Sequence, residues 1–359
     1  MRRANLVKLL LVMSLLIGLA WTVAGGNYSV KQIMGKDTVG KYIVEDMFMC
    51  ANGQTMWMVG VANNDNARLF KLDLATDTLA GDPIDVGVLY GPRGGRGLAI
   101  NYSCTLAYVI NYPINTVSVI DLETGEQIAE IPVPAKPTGV ALSYPDGWKL
   151  FVASSFSNIV TVIDTPSNTD IGKVEVGTGA NNVFFVGRVW RGTGWIGAVS
   201  SYDDTITITN VSQERYVTFK LPTSPTRFDR GPFEAVATQD GSKIYISNFV
   251  GDSVTIIDTR NMKIDSIPVG DSPRYLAITT DDKYVFVANV IDKTVSVIST
   301  ATDSVVDTIE FIEPNEPAPI GAIAVTKDNR YLYVFWTGGR SGTPADFVIF
   351  KIDLSPLYG

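Results

Sequence analysis

The sequence predicts an all-β protein: a closed ring of seven sheets, each of four antiparallel strands, with the N-terminal strand completing the last sheet. Three observations predict it. Seven segments repeat one another, anchored on Asp73, Asp121, Asp164, Asp258 and Asp353, with Asn210 and Ser299 in the equivalent places, at intervals of 41 to 54 residues. Each segment carries four short runs rich in Val, Ile, Tyr and Thr, separated by polar turn residues. The last segment stops one run short at "SPLYG", while a spare run, "YSVKQIMG" (28–35), precedes the first.

The clearest copy reads "RYLAIT", an Asp-Asp turn, "YVFVAN", "IDK", "TVSVIS", "TATD" and "VVDTIEF". "TVSVIS" alternates, so one face of that strand packs while the other is wetter. "YVFVA" is apolar throughout, which suits a strand sandwiched between neighbouring sheets. Four strands at this period form a propeller blade. One blade cannot bury both of its faces, but seven arranged radially can. If 28–35 supplies the outer strand missing from the last copy, no edge is left bare. Within each copy the second strand ends at Asn111, Asn248 or Asn289, and the third begins at Asn115-Thr116, Asp252-Ser253 or Lys293-Thr294. Polar residues that bond their own backbone are the usual occupants of such hairpins, so these are read as scaffold.

Length alone, 359 residues, suggests two domains. A repeat array is one closed unit instead, so residues 25–359 are read as a single propeller. Hydrophobic residues make up 46% and charged residues 18%, enough for a large core. Residues 1–24 read as a secretory signal peptide: Arg2, Arg3 and Lys8, then an apolar run from Leu9 to Ala24, with Thr22-Val23-Ala24 as a small-residue cleavage site. The rival reading is an uncleaved membrane anchor, for which the run falls short of the roughly 20 residues a spanning helix needs. No other uncharged run is long enough to cross a bilayer. Cleavage takes the net charge from −8 to −11, because three cations leave with residues 1–24. Such an acidic surface repels phosphate backbones, so nucleic acid is excluded as a partner, and an extracytoplasmic location is expected.

There is no histidine. That removes Ser-His-Asp catalysis, His-ligated zinc or copper, and His-ligated haem. Cys50 and Cys104 are the only cysteines. By register both lie in the turn after a first strand, in adjacent blades. They form either one disulfide between those blades or two separate buried thiols.

The segments "PRYLAITTDDKYVFVANVIDKTVSVISTATDSVVDTIE" and "PFEAVATQDGSKIYISNFVGDSVTIIDTRNMKIDSIPVG" resemble the YVTN-type β-propeller repeat. Copies at 92–133 and 137–176 match it well, and those at 44–87, 180–221 and 319–354 are degenerate. The resemblance implies an exported or cell-surface propeller. Similar repeats occur in surface-layer proteins, sugar-lactone hydrolases and dehydrogenase subunits, so it says little about activity.

A ligand on the axis breaks the symmetry of a propeller, so residues that differ between copies are the functional candidates. The starts of the first strands form one ring of Glu45, Arg96, Thr138, Asn181, Phe233, Arg274 and Ile320. The next positions inward are Asp46, Gly97, Gly139, Asn182, Glu234, Tyr275 and Ala322. Asp46 and Glu234, with Glu45 nearby, can hold a hard cation such as calcium. Arg96 and Arg274 can grip a carboxylate or simply neutralise those acids. "GPRGGRG" (91–97) offers backbone amides with Arg93 and Arg96, but a nucleotide-binding glycine loop needs a following helix, and a strand follows here. The insertion "FVGRVWRGTGWIG" (185–197) puts Arg188, Trp190 and Arg191 at a surface turn, suited to a glycan or protein, with Trp195 expected in the core. Arg340 belongs to a second long loop, "WTGGRSGTPADF" (336–347). Asn27, Asn101 and Asn210 head glycosylation sequons.

Two functions compete. One is a non-enzymatic, exported binding or scaffolding module whose partner is a surface protein, a glycan or another copy of itself. The other is an exported enzyme, either a lactone hydrolase with a divalent ion on Asp46, Asn182 and Glu234, or a propeller subunit of a dehydrogenase.

Overall fold

The middle runs of each repeat are apolar and the last run is mixed, and this ordering fixes how a blade sits in the ring. In the sixth blade, strands Pro273–Ile278, Tyr284–Asn289, Thr294–Ser299 and Ser304–Glu310 lie side by side in chain order. The second and third are buried along most of their length, clamped between neighbouring blades, while the fourth is largely exposed and buries only Ile309. The same plan recurs in blades one to seven, at 42–88, 98–132, 137–175, 180–220, 232–268, 273–310 and 320–353. The structure, a computed structural model, describes residues 21–22, 28–34, 42–62, 66–88, 97–143, 147–186, 195–210, 215–220, 231–311, 320–337 and 347–359. The all-β, seven-bladed architecture is therefore as predicted. Blade one departs in detail, because its outer strand is split into Thr78–Leu79 and Ile84–Val88, both paired with Asn66–Asp73. No helix among the described residues is long and apolar enough to cross a membrane.

Closure also follows the prediction. Strand Ser29–Met34 pairs antiparallel with Phe347–Asp353 as the fourth strand of blade seven, with Val30 opposite Ile352 and Gln32 opposite Phe350. Trp21–Thr22 adds a short fifth strand outside it. Tyr28 and Val30 are buried in a cluster with Phe286, Val295, Leu332 and Phe350, so this latch belongs to the core shared by blades six and seven. The Tyr28 hydroxyl donates to Asp307 of blade six at 2.8 Å. Burial and the adjacent Asp307 carboxylate push the Tyr28 phenol pKa up.

On the other side the register sets Lys31 directly opposite Lys351. Like charges in that position repel. Asp77 of blade one resolves the conflict by accepting from Lys31 Nζ at 2.8 Å and Lys351 Nζ at 2.7 Å, with the Tyr333 hydroxyl at 3.2 Å. Burial opposes ionisation of Asp77, but the two lysines outweigh it and hold its pKa below the ordinary value. A carboxylate depressed in the folded state stabilises that state above its unfolded pKa, and the contribution fades as pH falls through the folded value. Asp77→Asn is therefore expected to lower Tm at pH 7. The gap from the native protein should close as both are acidified below about 4, the ordinary range for Asp. A gap that persisted unchanged at pH 2 would contradict the lysine clamp.

The repeated hairpin is scaffold, as read from sequence. Asn111, Asn248 and Asn289 each donate their amide to two hydroxyls of the third strand, at 2.7 to 3.1 Å. Asn115, Asn158, Asp204, Asp252 and Lys293 all take left-handed backbone conformations, with φ from 47° to 60°. The first four accept a backbone N–H from the loop approaching the next blade, at Lys136, Gly179, Gly231 and Ser272. Lys293 has no acceptor to offer, and its ammonium instead lies 5.9 Å from the Trp336 ring of blade seven.

Candidate functional site

The first strands line the axis, running from an upper face, where they begin, to a lower face, where they turn. Six of these strands shift register near their upper ends, between Val44 and Asp46, Pro137 and Gly139, Ala180 and Asn182, Pro232 and Ala235, Pro273 and Tyr275, and Ile320 and Ala322. A bulge of this kind leaves a residue unpaired and re-aims the side chains around it. It takes up Thr138, Asn181 and Arg274 at equivalent positions, and Glu45 sits at the matching place in blade one. In blade seven the bulged residue is Gly321, so Ile320 does not belong to this ring.

Re-aiming turns much of the polar collar sideways, from blade to blade. Asp46 is buried, and its carboxylate accepts from the Met47 N–H at 2.8 Å and from the Leu98 N–H of blade two at 3.1 Å. Glu234 is buried too and accepts from the Leu276 N–H of blade six at 3.1 Å. Thr138 donates to the Ala180 carbonyl of blade four at 2.8 Å. Asn181 donates to the Pro232 carbonyl at 3.4 Å while accepting from Ser201. Asn182 is buried, and its carbonyl oxygen has no hydrogen-bond partner. Among the described residues no three potential ligands of the Asp, Glu or Cys type come together to hold a metal ion.

Arg274 stands apart in this collar. Its guanidinium lies 4.6 Å from the Phe233 ring and 5.1 Å from the Tyr275 ring, and its Nε and Nη2 atoms are buried without a hydrogen-bond partner. Phe249, from the turn above, packs 6.0 Å from Phe233. These two nitrogens share one edge of the guanidinium, the geometry that grips a carboxylate in bidentate fashion.

The upper face also carries the turns between second and third strands. Ile114, Phe156, Tyr202, Val250 and Ile291, one from each of blades two to six, are 41% to 68% exposed there. Single exposed apolar residues are ordinary. Five in successive blades at corresponding turns form an arc.

The lower mouth is different again. A cavity of about 390 Å³ opens there, walled by the far ends of the first strands. Phe48, Ile100, Leu142, Phe185, Ala237 and Ile278 supply one apolar side chain from each of six blades, and blade seven supplies Lys327. The Lys327 ammonium lies 5.6 Å from the Tyr102 ring, and loss of solvation lowers its pKa. Sequence reading missed both this cup and the arc. The signal was present, because the last residue before each first turn is apolar in every copy: Met49, Ile100, Leu142, Phe185, Ala237, Ile278 and Val325.

Cys50 and Cys104 form a disulfide on this lower face, with Cα atoms 5.7 Å apart, stapling blade one to blade two. Trp195 is buried as expected. Asn101 is engaged in its own turn, accepting from the N–H groups of Thr105 and Leu106. Asn210 ends strand Thr205–Asn210. Arg93, Arg96, Arg188, Trp190, Arg191, Arg340 and Asn27 lie outside the described residues.

No protein-family model matches the chain. It is 26% identical over 245 residues to Antigen Lp49 of Leptospira interrogans serogroup Icterohaemorrhagiae serovar copenhageni (strain Fiocruz L1-130), a match covering 64% of this chain. The match spans only 42% of that relative's length. Among solved structures it is similar to Kuenenia stuttgartiensis Hydrazine Synthase, with a TM-score of 0.64 and 18% identity over 88% of this chain and 96% of the other. At that identity the likeness extends to the propeller fold and no further.

Proposed function

We propose that this chain is an exported propeller that acts as a non-enzymatic binding or scaffolding module at the cell surface, engaging a protein partner through its upper face. The observation that carries this reading is the arc of Ile114, Phe156, Tyr202, Val250 and Ile291. Aromatic and aliphatic side chains on neighbouring turns are the material of interface anchors. Export is supported by the leader-like sequence of residues 1–24 and by the disulfide, which suits an oxidising compartment. The YVTN-like repeats and the relative described as an antigen point the same way.

The test is site-specific photo-crosslinking on intact cells. A benzophenone side chain at Phe156 or Tyr202 reports on the upper face, and one at Met262, an exposed turn residue of the lower face, is the control. Discrete adducts from positions 156 and 202 with none from 262 are expected. Equal labelling from both faces, or no adduct from the upper face, would refute the assignment.

A further inference from the structure

We propose that the lower cup is a binding site for an apolar molecule bearing a single carboxylate, of the fatty-acid class. The cup lies on the opposite face from the arc, so the inference is independent of the protein-binding reading. Three features select this chemistry. Its volume, about 390 Å³, falls in the range typical of small-molecule sites, which run from roughly 300 to 1,000 Å³. Each of six of the seven blades contributes apolar wall, which suits an acyl chain, and the polar side chains Asn101, Tyr102 and Ser143 are a minority of the lining. Lys327, on the remaining blade, is the one charged group in the lining among the described residues. No carboxylate pairs with its ammonium among the described residues, and the contact it makes there is with the Tyr102 ring.

A cation at the rim of an apolar pocket sorts ligands by their head groups. A carboxylate gains a charge-assisted contact with Lys327 while its tail fills the cup. An alcohol gains the burial alone, and an amine meets a like charge. Tyr102, more than half exposed at 59%, stands beside the ammonium and can cover the junction of head and tail.

The experiment titrates the full-length protein by calorimetry with dodecanoate, dodecanol, dodecyltrimethylammonium and acetate, each kept below its micelle concentration. Native protein is expected to bind one dodecanoate saturably, dodecanol about tenfold or more weakly, and neither of the other two. Lys327→Met should weaken dodecanoate by about tenfold or more and leave dodecanol unchanged. Lys327 is exposed, so this variant keeps the native fold. Ala237→Phe, which places a ring inside the cup, should abolish binding of both dodecanoate and dodecanol at unchanged Tm. Non-saturable dodecanoate binding, equal affinity in Lys327→Met, dodecyltrimethylammonium binding as tight as dodecanoate, or binding that survives Ala237→Phe would each overturn the proposal.

Discussion

Deleting residues 25–36 is expected to lower Tm by about 10 °C or more and to promote aggregation. The deletion removes the strand Ser29–Met34, and with it every backbone bond on the outer side of Phe347–Asp353. Phe350 and Ile352 would lose the cover that Tyr28 and Val30 give them. Burial of each such side chain stabilises by about 1.5–3 kcal/mol, so several kcal/mol are at stake. Lys351 would keep Asp77 but lose its neighbour on the latch, and Asp307 would lose the Tyr28 hydroxyl. The exposed strand would then be an unpaired edge, a template for pairing with a second chain. Calorimetry and size-exclusion chromatography read both effects. A truncated protein that melts and elutes with the native one would place the closure elsewhere.

Gly139→Ala should destabilise by about 1–3 kcal/mol, a large effect for one methyl group. A Cβ at position 139 would stand 2.9 Å from both the Asn181 carbonyl oxygen and the Asn182 Cα, which are backbone atoms of the next blade. Backbone cannot swing aside as a side chain can, so blades three and four would have to separate. That movement would also stretch the neighbouring bond from Thr138 to the Ala180 carbonyl. Gly172→Ala is the control, because a Cβ there meets nothing within 4 Å. Its expected change is within about 0.5 kcal/mol. Equal urea midpoints for the two variants would contradict the close approach of blades at the collar.

Most of the ring was legible because its determinants are local. Period-two apolar runs, turn residues and a spare N-terminal strand are visible without knowing any contact. The collar was less legible because a bulge is invisible in one sequence. It displaced Ile320 from the ring in favour of Gly321. It also turned Asp46 and Glu234 toward backbone N–H groups of adjacent blades. Which of several nearby amides a carboxylate meets depends on packing of the blades, not on spacing along the chain. The disulfide was half legible: register placed Cys50 and Cys104 in adjacent turns, and geometry joined them. The arc and the cup went unread because their residues are individually ordinary. Phe156 and Tyr202 look like any turn aromatics, and Ile100 or Ile278 like any strand end, until symmetry sets them side by side.

The central claim is that the chain closes on itself through residues 29–34, which fixes what lies on the upper and lower faces. Hydrogen–deuterium exchange of the intact protein tests it most directly. The closed ring predicts that the amides of Val30 and Gln32 exchange as slowly as those of Phe350 and Ile352, their partners across the seam. Exchange of residues 29–34 at the rate of an unstructured chain, with Phe347–Asp353 still protected from its Tyr331–Thr337 side, would contradict it.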